Sequence, residues 1–186
     1  MWEAFQKIAD REGGKFYHDE NTYLTGGGTA LPDLNFVVKF EYKNIQFVIH
    51  NQTGANFVGN VYCKLPKQSK SHYFHVTPRS NFMSLFSKDR DKRFSIKSKN
   101  ANLAYFIKNN ASFKSLEEVA RQDRFEPYIS AKNEAGKFKI QTKYNLDIDD
   151  WTQVLDPIIQ FYKDLINEFK KDRLNLAEQA YSDQFS

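Results

Sequence analysis

The sequence has few of the features that disulfide chemistry, a structural zinc site or a signal peptide requires. Its single cysteine, Cys63, cannot form an internal disulfide, and without a second cysteine or a local histidine cluster it cannot supply a common structural zinc site. No apolar run approaches the roughly 20 residues that cross a bilayer, and the first residues include acids where a signal peptide needs a basic and then an apolar stretch. We therefore expect a cytoplasmic protein with no transmembrane segment, no cofactor and no metal site.

Signatures of catalysis are also missing. The motifs GxSxG, HExxH and CxxC do not occur, and the glycines at 26–28 lack the lysine and helix start of a phosphate-binding loop, which favours a flexible loop. His72 and His75 lie in a strand-like context, where their spacing points them to opposite faces. An enzyme whose site assembles only in three dimensions stays an alternative, with no catalytic residue assigned.

What the sequence does contain is enough apolar material for one core. Its 186 residues match the usual size of a single domain, and 17 Phe and 10 Tyr supply large packing groups. We expect one domain over 1–170. The acidic tail at 171–186 is expected to fray, because the apolar stripe thins after Phe169.

Hydrophobic periodicity predicts an α+β fold in which an antiparallel sheet packs against an N-terminal and a long C-terminal helix. A three-stranded meander turns at Lys43-Asn44, and a second hairpin turns at 133–136. Helical spacing marks 2–12, 100–109, a segment after Ser115, and 151–169, and alternation marks 36–42, 45–49, 57–63, 72–77, 93–97, 127–131 and 137–144.

Four finer expectations follow from local signals. The glycines and proline of 21–33 predict a loop, and Ser115 is the expected N-cap of its helix. Phe57 is assigned with Cys63 to the core side of the third strand. In the last helix, Pro157 predicts a kink or a start a few residues later, with the aspartates at 147–150 as capping groups.

Both faces of the meander carry apolar side chains, since Val37 and Val48 lie opposite the phenylalanine set. We expect either further helices or a partner to cover the second face.

Charge is segregated along the chain. Residues 64–99 hold 10 basic and 2 acidic side chains, whereas 147–186 hold 4 and 9. The candidate anion-binding residues are Lys88, Arg90, Lys92, Arg93, Lys97 and Lys99. They lie among Tyr73, Phe74, Phe82, Phe86 and Phe94, which could stack on bases. The alternative is that these rings face a core and the cations are simply solvated.

Four segments, at 2–16, 40–45, 94–97 and 151–169, resemble in pattern an uncharacterised bacterial α+β domain family of unknown function. The resemblance implies a bacterial α+β domain, and the family has no established activity or catalytic residues to transfer. The sequence favours a non-enzymatic binding or adaptor module with an unknown protein partner. A nucleic-acid-binding domain that uses 64–99 is the main alternative.

Overall fold

A computed structural model describes residues 2–54, 56–79 and 93–183, with side chains as far as Lys171. It confirms the α+β class, since an eight-stranded antiparallel sheet packs against helices. The helices are α1 Trp2–Glu12, α2 Ala101–Asn109, α3 Ala111–Gln122 and α4 Thr152–Asp183, with a short 3₁₀ turn at Lys70–His72. The strands are β1 Lys15–Leu24, β2 Ala30–Tyr42, β3 Ile45–Thr53, β4 Val58–Pro66, β5 Phe74–Pro78, β6 Phe94–Ser98, β7 Tyr128–Glu134 and β8 Lys137–Asn145.

The sheet has the order β1-β2-β3-β4-β8-β7-β5-β6, and all its described pairings are antiparallel. Both predicted tight turns are present. Lys43-Asn44 and Ala135-Gly136 have positive φ at both central residues, the geometry of a type I′ turn, whose twist matches that of the flanking strands. The meander and the second hairpin meet where β4 pairs with β8.

The helices pack on one face of the sheet and form a single core with it. Phe5 of α1 stacks on Phe36 of β2, with ring centroids 5.2 Å apart. Phe161 of α4 contacts Phe74 of β5 and Phe113 of α3. The described part of the chain therefore forms two layers, helices over sheet.

A buried hydrogen-bond chain ties α4 to the middle of the sheet. The fully buried Tyr162 phenol donates to the Val61 carbonyl of β4 at 3.0 Å and lies 2.8 Å from the Thr142 hydroxyl of β8. Because the phenol has a single hydrogen and a carbonyl can only accept, the Thr142 hydroxyl is the donor in the second bond. The helix thus satisfies its buried polar group at the β4–β8 junction.

The expected loop at 21–33 is wrong. β1 runs to Leu24 and β2 begins at Ala30, so that only 25–29 form the turn, closed by a hydrogen bond from the Thr25 amide to the Thr29 carbonyl. The sequence did not predict these strand residues because the side chains of 21–33 are mostly exposed on both faces of the β1–β2 hairpin. This exposure removes the apolar alternation on which strand prediction depends.

Two other local expectations are also wrong. Asn110, not Ser115, caps α3, because its side chain accepts from the Phe113 amide while Ser115 lies inside the helix. Phe57 precedes β4 and is 52% exposed. By contrast, the capping role of the aspartates is confirmed at Asp150, which accepts from the Thr152 amide. α4 begins at Thr152 and contains Pro157, so the later start is excluded.

We expect Phe47→Ala to destabilise the domain by about 3–5 kcal/mol, because this ring is fully buried and stacks on Phe40. Urea unfolding measures the change in stability. Phe57→Ala is the matched control, and should change stability by roughly 0.5 kcal/mol or less because the ring is half exposed. Equal destabilisation in the two variants would contradict the assigned core.

Gly59→Ala should destabilise the domain by about 1–3 kcal/mol, the usual cost of overpacking a core. Gly59 is buried on β4, and a Cβ there would overlap the buried ring of Tyr144 on β8. Gly26→Ala is the control, since a Cβ at Gly26 meets no atom within 4 Å and its φ is not positive. A Gly59→Ala protein with the wild-type urea midpoint would show that β4 and β8 are not packed in this way.

Candidate functional site

The face of the sheet that points away from the helices is the outer face. None of the described helices lies on it, and its part on β4 to β8 is strongly basic. Along β4 to β8, whose residues are all described, the outward positions carry six lysines and one carboxylate, that of Glu134. These lysines are Lys64, Lys97, Lys132, Lys137, Lys139 and Lys143.

Three of them form a lysine row, composed of Lys64, Lys139 and Lys132. Lys139 on β8 is directly opposite Lys64 on β4 and also directly opposite Lys132 on β7. Side chains in such positions have Cβ atoms about 4.5–5.5 Å apart, and like charges placed there destabilise a sheet. The row concentrates positive potential on three adjacent central strands.

The partners of the lysine row only partly compensate its charge. The Lys139 ammonium lies 3.6 Å from a Glu134 carboxylate oxygen. The Lys64 and Lys139 ammonium groups also lie 6.0 and 5.2 Å from the centroid of the Tyr62 ring, within cation–π range. One carboxylate beside three ammonium groups leaves an excess of positive charge.

Beside the lysine row, the outer face carries three polar side chains and a tyrosine. Tyr62, Gln141, Ser130 and His75 follow one another in register across four strands. The Gln141 amide donates to Asn60 Oδ1 at 2.8 Å. The surface thus offers hydrogen-bond donors and acceptors next to the cations.

Further along the same strands lies an aromatic pocket, a depression of about 550 Å³. Phe57, Val58 and Tyr128 line it and are 52%, 49% and 60% exposed. Its other lining residues are His50, Gly59, Asn60, Glu126, Lys143, Tyr144 and Asn145. Lys143 and Lys139 are four residues apart on β8, about 14 Å along an extended strand. The pocket and the lysine row therefore belong to one continuous surface.

The residues predicted to bind an anion do not form this cluster. Lys88, Arg90 and Lys92 lie outside the described residues, as do Phe82 and Phe86. Lys97 is on the outer face, but on the edge strand β6, and Lys99 is exposed in the connection to α2. Of the aromatic residues expected to stack, Phe74 and Phe94 are buried in the core. For these two rings the alternative of core packing is correct.

Arg93 lines a different depression, a groove of about 720 Å³ at one end of the sheet. Four arginines and four carboxylates line this groove, and one pair, Arg124 with Asp147, is 3.2 Å apart. Because the two signs are equal in number, the groove has no excess charge to attract an anion.

A sequence signal for the outer face was present in β8. Lys137, Lys139 and Lys143 alternate there with the buried Phe138 and Ile140, which is the pattern of a strand with one basic face. Charge totals over whole segments conceal this signal, because they do not separate the two faces of a strand. Lys139 pairs with Lys64, 75 residues earlier in the chain, and with Lys132, 7 residues earlier. Both pairings depend on the register of the sheet.

The titratable groups with large pKa shifts lie elsewhere. Burial raises the pKa of the Cys63 thiol and of the Tyr144 and Tyr162 phenols well above their usual values, and all three groups are in the core. Over the described ranges, no group of three or more His, Cys, Asp or Glu side chains has the arrangement of a metal site.

Comparison with protein-family models, curated proteins and solved structures found no match for this chain. The resemblance to an uncharacterised bacterial family therefore stays a prediction. Among the helices of the described residues, none combines the length and apolar character that spanning a membrane requires.

We expect Lys132→Thr to stabilise the unliganded domain by about 0.2–1 kcal/mol more than Lys143→Thr does. Both changes place the same β-branched residue on the outer face, but only Lys132 is directly opposite another lysine. Urea unfolding at about 10 mM and about 1 M salt, where the Debye lengths are about 30 and 3 Å, measures the difference. A difference that persists at high salt would contradict an origin in charge repulsion.

Proposed function

We propose that this chain is a non-enzymatic binding module and that its outer face binds single-stranded nucleic acid. The lysine row is the observation that carries the proposal. Three like charges are held side by side on central strands, where they oppose folding and no sheet edge needs protection. A phosphate backbone would relieve this repulsion and supply the missing counter-charge.

The aromatic residues of the outer face favour nucleic acid over an acidic protein. Tyr62 lies beside the lysine row, and Phe57 and Tyr128 are exposed further along the same strands. Proteins that bind single strands combine a basic surface with aromatic rings on which bases stack. Unpaired bases can reach such rings, whereas the bases of a duplex are stacked on each other.

The proposal changes the expected partner and the expected residues. The sequence favoured an unknown protein partner, and its nucleic-acid alternative used residues 64–99. Here Lys64 is the only contribution of that segment to the lysine row, since Lys132 and Lys139 come from the second hairpin. The proposal includes a cytoplasmic location, where single-stranded RNA is present.

The triple variant Lys64→Gln, Lys132→Gln, Lys139→Gln tests the proposal. With labelled oligo(U) and oligo(dT) of about 12 nucleotides, within the usual site sizes, wild-type affinity should fall steeply between about 50 and 200 mM salt. In the variant, binding should weaken for both oligomers. The slope of log affinity against log salt should become shallower by about 2, because each phosphate that a lysine neutralises contributes roughly 0.7 to it.

The control is Lys7→Gln, Lys108→Gln, Lys114→Gln, which removes the same net charge from exposed positions on α1, α2 and α3. Its salt slope should equal that of the wild type. Equal weakening in the two triple variants would mean that net charge alone is responsible. Absence of wild-type binding at about 50 mM salt, where phosphate binding is strong, would eliminate the proposal.

A further inference from the structure

The composition of the aromatic pocket differs from that of the lysine row. Three of its exposed lining residues, Phe57, Val58 and Tyr128, are apolar or aromatic and are about half exposed or more. They are three of the eight large hydrophobic side chains that are exposed in the described residues, and they meet in one depression. Exposed apolar groups gathered in a concave site are typical of a ligand pocket.

The charges of the pocket favour a neutral ligand. Lys143 and Glu126 are its one ammonium and one carboxylate, so their charges balance. Asn60 accepts from Gln141 through its Oδ1, which leaves the Asn60 amide group as a donor. The carboxylate of Glu126 is an acceptor, and the Lys143 ammonium is a second donor. Such a rim suits a planar group with both donors and acceptors on its edge.

The dimensions of the aromatic pocket also fit a small ligand. The volume of about 550 Å³ falls within the range of about 300–1,000 Å³ that is usual for small-molecule sites. Lys139 and Lys143 are about 14 Å apart along β8. One extended nucleic-acid strand could therefore place phosphates over the lysine row and a base in the pocket. Phe57 approaches the pocket from the segment before β4, and Tyr128 approaches it from β7. β4 and β7 lie on either side of β8.

We propose that the aromatic pocket is a nucleobase-stacking site, in which the Phe57 and Tyr128 rings hold one unpaired base while the lysine row holds phosphates of the same strand. This inference rests on the proposed function and adds to it a second contact of different chemistry. It assigns recognition of the base to rings, and attraction of the backbone to lysines.

The test compares two ligands of equal length and charge, oligo(dT) and an abasic oligodeoxyribose phosphate, each carrying the same label, with oligo(U) as the RNA counterpart. The wild type should bind oligo(dT) and oligo(U) more tightly than the abasic strand, by about 5- to 150-fold for each stacked base. Phe57→Ala and Tyr128→Ala should each lower the affinity for the oligomers with bases. Affinity for the abasic strand and the salt slope should not change, because every lysine that binds a phosphate is still present.

Two variants control the measurement. Tyr128→Phe keeps the ring and should retain the preference for strands with bases. Tyr105→Ala removes a ring that is 71% exposed on α2 and should bind as the wild type does. All these side chains are more than half exposed, so urea midpoints should stay close to that of the wild type.

The outcomes separate the two proposals. If the wild type binds all strands with equal affinity and a steep salt slope, the stacking site is overturned and the phosphate-binding proposal stands. If Phe57→Ala and Tyr128→Ala keep the full preference for bases, stacking in this pocket is overturned in the same way. If no strand binds at about 50 mM salt, where phosphate binding is strong, both proposals fail together.

Discussion

The pairing of β4 with β8 is the constraint on which the rest of this structure depends. It joins the N-terminal meander to the second hairpin, between residues about 80 positions apart in the chain, and makes one sheet from two locally folded parts. Bringing together residues so far apart in the chain costs conformational entropy, and the contacts of local turns do not compensate for this cost. The Tyr162 phenol and the Gly59–Tyr144 contact supply packing and hydrogen bonding at this junction. α4 therefore fixes the pairing from the core side.

The same junction generates the candidate site on the other side of the sheet. The lysine row exists because β4, β8 and β7 are neighbours. The aromatic pocket is lined from these same three strands, from His50 on β3 and from the segments before β4 and β7. Core packing on one face thus holds like charges together on the opposite face, a local decrease in stability that the large core can tolerate. A rigid central sheet is also a better support for a binding site than a loop would be.

Much of the fold could be predicted because local signals agreed with the tertiary structure. The meander turn at Lys43-Asn44, the second hairpin and the aspartate cap of α4 each depend on neighbouring residues alone. The errors have physical reasons. Residues 19–34 of the β1–β2 ribbon carry mostly exposed side chains on both faces and lack alternation, and Phe57 lies before β4, where strand alternation no longer applies. Ser115 is the wrong cap because Asn110, five residues earlier, also carries a side-chain oxygen that accepts from backbone amides.

The sequence by itself determined the α+β class, the basic character of the middle of the chain and the alternation of lysines with core residues in β8. These follow from periodicity and composition, which act over a few residues. Only the tertiary structure decided which lysines are adjacent, because the register between β4 and β8 is set by packing of the opposite face. It also decided that the described helices all lie on one side of the sheet, opposite Tyr62, Tyr128 and the lysine row.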